Sequence, residues 1–206
     1  MPQSRRYKKK KSAGKAILAW IIVLAILAAG VFVFVSVFYE DAKKKLDEMN
    51  YPRTYSTYVE KAANDYDLDP ALIYAVIHTE SGFDPKAESG VGAKGVMQMM
   101  PSSFEWLQEQ RGCAGQYTED DLFDPEICID YGSYLLKYFY DYYGTERSAI
   151  AAYNAGFVVS DWLNNTNYSS DGKNLDSIPY PETENYVDKV ESAKEMYIKL
   201  YYSQSN

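Results

Sequence analysis

Between Ala16 and Phe38 the chain runs for 23 residues without a charge. At about 1.5 Å per residue a helix of that length crosses a hydrocarbon core of about 30 Å. Within lipid a single segment satisfies its backbone polar groups only as a helix. Arg5, Arg6, Lys8 to Lys11 and Lys15 precede the run, so seven of the 21 basic residues and none of the 29 acidic ones lie in the first 38 positions. Basic flanks stay on the cytoplasmic side. The pattern predicts a single-pass cell-membrane protein with a cytoplasmic N-terminus and an extracytoplasmic C-terminal part. A cleaved signal peptide competes with this reading, since small residues stand at Ala25, Ala28 and Ala29. Against it, Val31-Phe32-Val33-Phe34-Val35 carries the apolar character past any such cleavage site. The expected division is a basic cytoplasmic tail over 1–15, a membrane anchor over 16–38, a juxtamembrane stalk over 39–50 and one domain over 51–206.

The charge balance inverts after Phe38, where 14 basic residues face 29 acidic ones. No excess of positive charge remains outside to neutralise phosphates, which argues against nucleic acid as a partner. The N-terminal basic run is better explained by topology and anionic lipid. With two cysteines and one histidine in the whole chain, an ordinary zinc site fails on ligand count. Cys113 and Cys128 can pair in an oxidising exterior, but spacing alone leaves the Cα separation that a disulfide needs undetermined.

The 51–206 segment reads as helices punctuated by caps. Thr54 or Ser56 caps a helix through Asp65, with Tyr58, Val59, Ala62 and Ala63 inward. Asp69 and Pro70 open the next helix and Gly82 closes it. Pro101 leads a helix to Gln110 with Phe104, Trp106 and Leu107 inward. Asp124-Pro125 starts a long one to Tyr143, with Ile127, Tyr131, Tyr134, Leu135, Tyr138, Phe139 and Tyr142 as its core stripe. Thr145 opens a helix through Ala155, and Gly156 turns the chain. After a polar loop over 164–177, a last helix is expected over 182–202 with Tyr186, Val190, Ala193, Tyr197 and Tyr201 inward. No alternating run supports a strand. The fold class is therefore mainly α.

Inside the helix that begins at Asp69, Leu72, Ile73, Val76 and Ile77 share a face, and Glu80 is the next residue on it. Burial disfavours a charged carboxylate, so an acid ending an apolar stripe has a raised pKa and can serve as a general acid near neutral pH. The plainer alternative is a solvated glutamate at a helix end. A glycine-containing loop follows. It holds Ser89, whose plain reading is a turn serine, then Gly92 and Gly95, and leads to Gln98 and Met100. There an amide can hydrogen-bond sugar hydroxyls and a thioether can pack on a ring. His78 lies on the other side of its helix from Glu80 and is assigned no role.

The ordered set Glu80-Ser81, Ala87 with Ser89, Gly92-Ala93, Gly95-Val96-Met97-Gln98, Pro101, Ala152-Tyr153-Asn154-Ala155-Gly156, Pro181-Glu182-Thr183 and Tyr186-Val187 resembles the Slt-type lytic transglycosylases. That family has the goose-type lysozyme fold and cleaves peptidoglycan glycan strands. The resemblance spans about Tyr51 to Tyr202. It implies a lysozyme-like domain that needs no cofactor and cuts the MurNAc-GlcNAc β-1,4 bond, leaving 1,6-anhydro-MurNAc ends. It assigns Glu80 as general acid and then base, Ser89 as a contact to the N-acetyl group near the acid, and Tyr153 as a phenol beside it. Glu182 resembles the acid that holds sugar groups in the groove, although a first-turn Glu favoured by the helix dipole is the equal alternative. Gln98, Met100 and Asn154 complete the expected substrate contacts. The family often carries a longer glycine-containing turn where this chain has Phe157-Val158-Val159.

Glycosidases usually place two carboxylates across the scissile bond, and these motifs supply one. Asp84, Glu88 and Glu105 keep a lysozyme-type hydrolase of the same fold open, each being more simply a solvated charge. A non-catalytic glycan-binding module is the third reading, against which the intact Glu80, Ser89, Gln98 and Tyr153 speak. The sequence names no protein partner.

Overall fold

The computed structural model describes residues 5–203, with side chains from position 14 onward; the first four residues of the basic tail lie outside the described residues. It divides into two compact units, Met1–Asn50 and Tyr51–Asn206. The first unit is one continuous helix, α1 (Arg5–Asn50). It joins the expected anchor and stalk without a break, and from position 14 onward its apolar residues are exposed, Trp20 by 68% and Phe34 by 72%. The helix is long and apolar enough to cross a membrane by length and composition.

The second unit is helical, with α2 (Ser56–Tyr66), α3 (Pro70–Ser81), α4 (Pro101–Gln110), α5 (Pro125–Tyr143), α6 (Glu146–Ala155), α7 (Val159–Leu163) and α8 (Pro181–Tyr197). Among the described residues there is no strand, only isolated antiparallel bridges pairing Glu88 with Lys94 and Lys94 with Met99. The capping signals set the boundaries. The Asp69 carboxylate accepts from the Ala71 N–H at 2.9 Å, Pro70 occupies the first helical position, and Gly82 ends α3 at φ +59° with its N–H on the His78 carbonyl. Asp124 and Gly144 bracket α5 in the same way, and Thr145 caps α6 by accepting from the Ser148 N–H.

Packing departs from single-stripe expectations in several places. All of Ala71 to Ile77 is buried, because α3 lies between α2 and α8 and has no solvent face over that span. On α5, which packs against both α2 and α6, Tyr143 is buried while Tyr142 is 59% exposed. Cys128, Ile129, Gly132, Ser133 and Leu136 add a second buried side that a one-face stripe omits. Trp106 is only partly buried, and Gln108 joins Phe104 and Leu107 inside α4. The start of α2 lacks the expected side-chain cap; Tyr55 holds that position in the left-handed region at φ +63°. The last α-helix stops at Tyr197 and continues as a wider π turn, Ile198–Tyr202, with Tyr201 half-buried. A short 3-10 turn, Glu119–Phe123, closed by a Thr118–Asp121 capping box, had no counterpart in the sequence reading. Both cysteines are free thiols. Cys113 sits 3.2 Å from the Tyr131 hydroxyl, and Cys128 accepts from the Met97 N–H at 3.4 Å.

Candidate active site

Glu80 stands in the last turn of α3, one residue before the end of the helix. The next residue fastens that end to the loop ahead. The Ser81 hydroxyl donates to the Val96 carbonyl at 2.8 Å, with a longer contact to Ile77 at 3.3 Å. The loop is then folded by its own side chains and by Gly95. A Cβ at Gly95 would meet the Leu122 carbonyl oxygen at 2.0 Å, and its φ is +76°. Only glycine fits so close a backbone approach. Gly132 on α5 lets Met97 in by the same logic, since a Cβ there would lie 2.5 Å from the Met97 sulfur.

Gln98, at φ +48°, spends both amide N–H bonds on the carbonyls of Ala87 and Gly95, each at 3.0 Å. Its amide oxygen is the part left to meet a ligand. Ser89 accepts from the N–H groups of Ala93 at 2.9 Å and Val91 at 3.3 Å, so its oxygen shapes the turn and its proton remains for donation. Lys94 is buried and pairs with Asp120 at 2.9 Å and Glu119 at 3.1 Å, tying the loop to the 3-10 turn. Met100, the residue before α4, is 39% exposed.

Two tyrosines close around the acid. The Tyr153 hydroxyl, from α6, donates to the Met97 carbonyl at 2.9 Å, and the Tyr186 hydroxyl, from α8, is buried without a well-formed hydrogen bond. Burial raises the Glu80 pKa to about 7, and the Tyr186 hydroxyl opposes that rise. Tyr186 faces the acid from α8. Both phenols are held well above their ordinary value, by burial first and then by the Glu80 charge. Burial also pushes the Cys128 thiol up to about 12. Near neutral pH the site is a carboxyl balanced between its two forms, in a pocket whose other groups keep their protons. No second carboxylate contributes to the Glu80 shift, and Asp84, Glu88 and Glu105 are all exposed.

Where α6 ends just after Tyr153 and α8 begins one turn before Tyr186, a cleft of about 380 Å³ opens between Asn154, Ala155, Tyr180, Pro181, Glu182 and Thr183. Asn154 Oδ1 accepts from the Thr183 hydroxyl at 2.8 Å, which leaves its amide protons to donate, while Glu182 is exposed as an acceptor. Tyr180 is 52% exposed and packs edge-on against Trp162. Asn154 and Glu182 thus share one cleft, and Tyr153 joins Glu80. The sequence reading missed Tyr180 and Thr183 as cleft walls and treated Tyr186 as core; the proline after Tyr180, which fixes the start of α8, was the available signal. His78 stacks on Tyr51 at 4.8 Å. Among the described residues, no group of three or more His, Cys, Asp or Glu is arranged to hold a metal ion.

Residues 57–175 match the family model described as the transglycosylase SLT domain. The chain is 33% identical over 146 residues to the soluble lytic murein transglycosylase of Escherichia coli, covering 69% of this chain and 23% of that one. It is 30% identical over 170 residues to the membrane-bound lytic murein transglycosylase C of Actinobacillus succinogenes, covering 72% of this chain and 48% of the relative. It therefore spans about a quarter of the first relative's length and about half of the second's. The crystal structure of the 70 kDa soluble lytic transglycosylase of Escherichia coli superposes with a TM-score of 0.68 at 28% identity, over 76% of this chain and 26% of that one. The same enzyme in complex with bulgecin A matches equally well, with a TM-score of 0.68. The match over more than half of the chain, on a lysozyme-like helical fold, makes this protein a member of the transglycosylase SLT-domain family.

Proposed function

We propose that the protein is a membrane-anchored peptidoglycan lytic transglycosylase. Glu80 protonates the oxygen leaving between MurNAc and GlcNAc. The resulting carboxylate then takes the proton of the sugar's own 6-hydroxyl as that oxygen bonds to C1, so the cut end closes as 1,6-anhydro-MurNAc and no water is added. One group acts as acid and then base, which suits a pKa of about 7. The observation that carries this reading is a lone protonatable carboxyl between two protonated tyrosines, with no second carboxylate shaping its titration. Inverting and retaining hydrolases canonically use a second carboxylate, and the acids nearest in sequence after Glu80, Asp84 and Glu88, are both exposed.

Around the cut bond, the free proton of Ser89 suits the N-acetyl carbonyl and the Gln98 amide oxygen accepts from a sugar hydroxyl. Met100 packs on a ring, and Asn154 and Glu182 supply donor and acceptor to the next sugar. The bacterial relatives' names support peptidoglycan as substrate. The membrane-bound relatives together with α1 support a domain order of basic cytoplasmic tail, anchor over 16–38, stalk over 39–50 and extracytoplasmic catalytic domain over 51–206.

The test is Glu80→Gln in the full-length, detergent-solubilised protein. It keeps the side chain's shape and removes its transferable proton, so cleavage of purified glycan strands should fall by about 10²- to 10⁴-fold with the circular dichroism spectrum unchanged. Undiminished cleavage would reject Glu80 as the acid.

A further inference from the structure

Beyond the cleft, the surface carries a cluster of rings that the proposed chemistry leaves unused. Phe157 is 50% exposed and Tyr142 is 59% exposed. Phe157 stands edge-on to Tyr142 at 5.8 Å, to Tyr138 at 6.2 Å and to Trp106 at 6.5 Å. Trp106 meets Tyr138 edge-on at 5.0 Å, and the rings of Tyr138 and Tyr142 lie nearly parallel at 6.3 Å. Half-exposed aromatic rings forgo part of the free energy of burial, and clustered exposed apolar surface is a feature of interaction sites.

The patch is held in place from beneath. Phe139 is buried against Phe157 at 5.4 Å, and the Tyr143 hydroxyl reaches the Phe157 carbonyl at 3.5 Å and the Ser160 hydroxyl at 3.1 Å. Gly156, at φ +73° and ψ −153°, occupies a region open essentially to glycine alone, and this turn puts Phe157 on the surface. The ring cluster therefore needs little ordering to bind.

The chain itself joins it to the cleft. Asn154 and Ala155 line the cleft, and Phe157 follows two residues later. On α4, Trp106 lies six residues after Met100, about 9 Å by helical rise. Directly beside the rings in sequence stand the exposed acids Glu105 and Asp141, and Lys137, next to Tyr138, is paired with Asp141 at 2.6 Å. Anionic lipid is disfavoured by that setting. Aromatic faces carry negative charge density, and the C–H groups on the face of a pyranose ring complement it without a charge.

We propose that Trp106, Tyr138, Tyr142 and Phe157 form an accessory glycan subsite that stacks a neutral N-acetylhexosamine ring of the same strand, beyond the sugars held by Asn154 and Glu182. The subsite rests on the glycan-cleaving reading above and adds strand-length preference to it.

The test compares kcat/KM on long purified glycan strands with kcat/KM on the shortest glycan oligomer that the full-length protein cleaves. Phe157→Ala lowers that ratio by about 3- to 10-fold, through KM on the long strands and not through kcat, and Phe157→Trp retains it. Tyr142→Ala, at the most exposed ring of the four, lowers it likewise and gives the reading should Phe157→Ala unfold. An unchanged ratio in folded alanine variants, or a loss carried by kcat, overturns the subsite. An unchanged ratio accompanied by loss of self-association in sedimentation assigns the face to a second copy of the chain and also overturns it. Glu80-dependent cleavage with an unchanged ratio sinks the subsite alone, whereas a wild-type protein that cleaves no glycan sinks the catalytic reading with it.

Discussion

At the scale of single residues, the chemistry turns on what surrounds one carboxyl. Burial lifts Glu80 to about 7 while the Tyr186 hydroxyl pulls the other way. If the protonated form begins the reaction, kcat/KM of the free enzyme declines as pH rises through about 7. Tyr186→Phe removes the opposing hydroxyl and leaves burial unbalanced, so the descending limb should move to higher pH. A pH–rate profile of the variant checks this, and a limb displaced to lower pH would contradict the assigned electrostatics. Glu80 was legible in the sequence because an acid at the end of an apolar stripe is a local pattern. Gln98 was only half legible. Its type suggested hydrogen bonding to sugars, but both of its amide protons go to backbone carbonyls, one of them eleven residues away at Ala87, and no local pattern announces such a partner. Tyr186 read as core from its spacing, and its burial agrees; the carboxyl it faces comes from a helix more than a hundred residues earlier.

At the scale of elements, Asp-Pro starts and Gly stops fix α3 and α5 because caps satisfy orphan backbone groups through neighbours in sequence. Which side of a helix is buried depends on how many other helices touch it, and that number is a tertiary fact. This explains why α3 is buried on every side from Ala71 to Ile77 and why Tyr142, read as core, is exposed while Tyr143 is buried. The loop between α3 and α4 is the element on which the site most depends, and Gly95 is its tightest point. Gly95→Ala forces a side chain against the Leu122 carbonyl at positive φ, at a cost of about 2–4 kcal/mol from steric and backbone strain together. Thermal unfolding should report that loss, and activity should fall with it because the Ser81 and Gln98 contacts hold the same loop. A variant as stable as wild type would show that the loop relaxes at no cost.

At the scale of the whole molecule, an N-terminal basic and apolar segment and an acidic helical domain divide at about residue 50. If α1 anchors the chain, the full-length protein sediments with membranes and protease added outside intact cells digests its C-terminal domain. Recovery of a soluble form lacking residues 16–38 would favour a cleaved leader. The central claim, however, is that a single carboxyl runs the reaction without water. It is tested most directly by mass spectrometry of the products that the full-length protein releases from purified glycan strands. Ring closure leaves each new MurNAc end lighter than its hydrolytic counterpart by one water, about 18 Da, because no carboxylate activates water as in a hydrolase. Anhydro ends are the predicted result, and products bearing only added water would contradict the account.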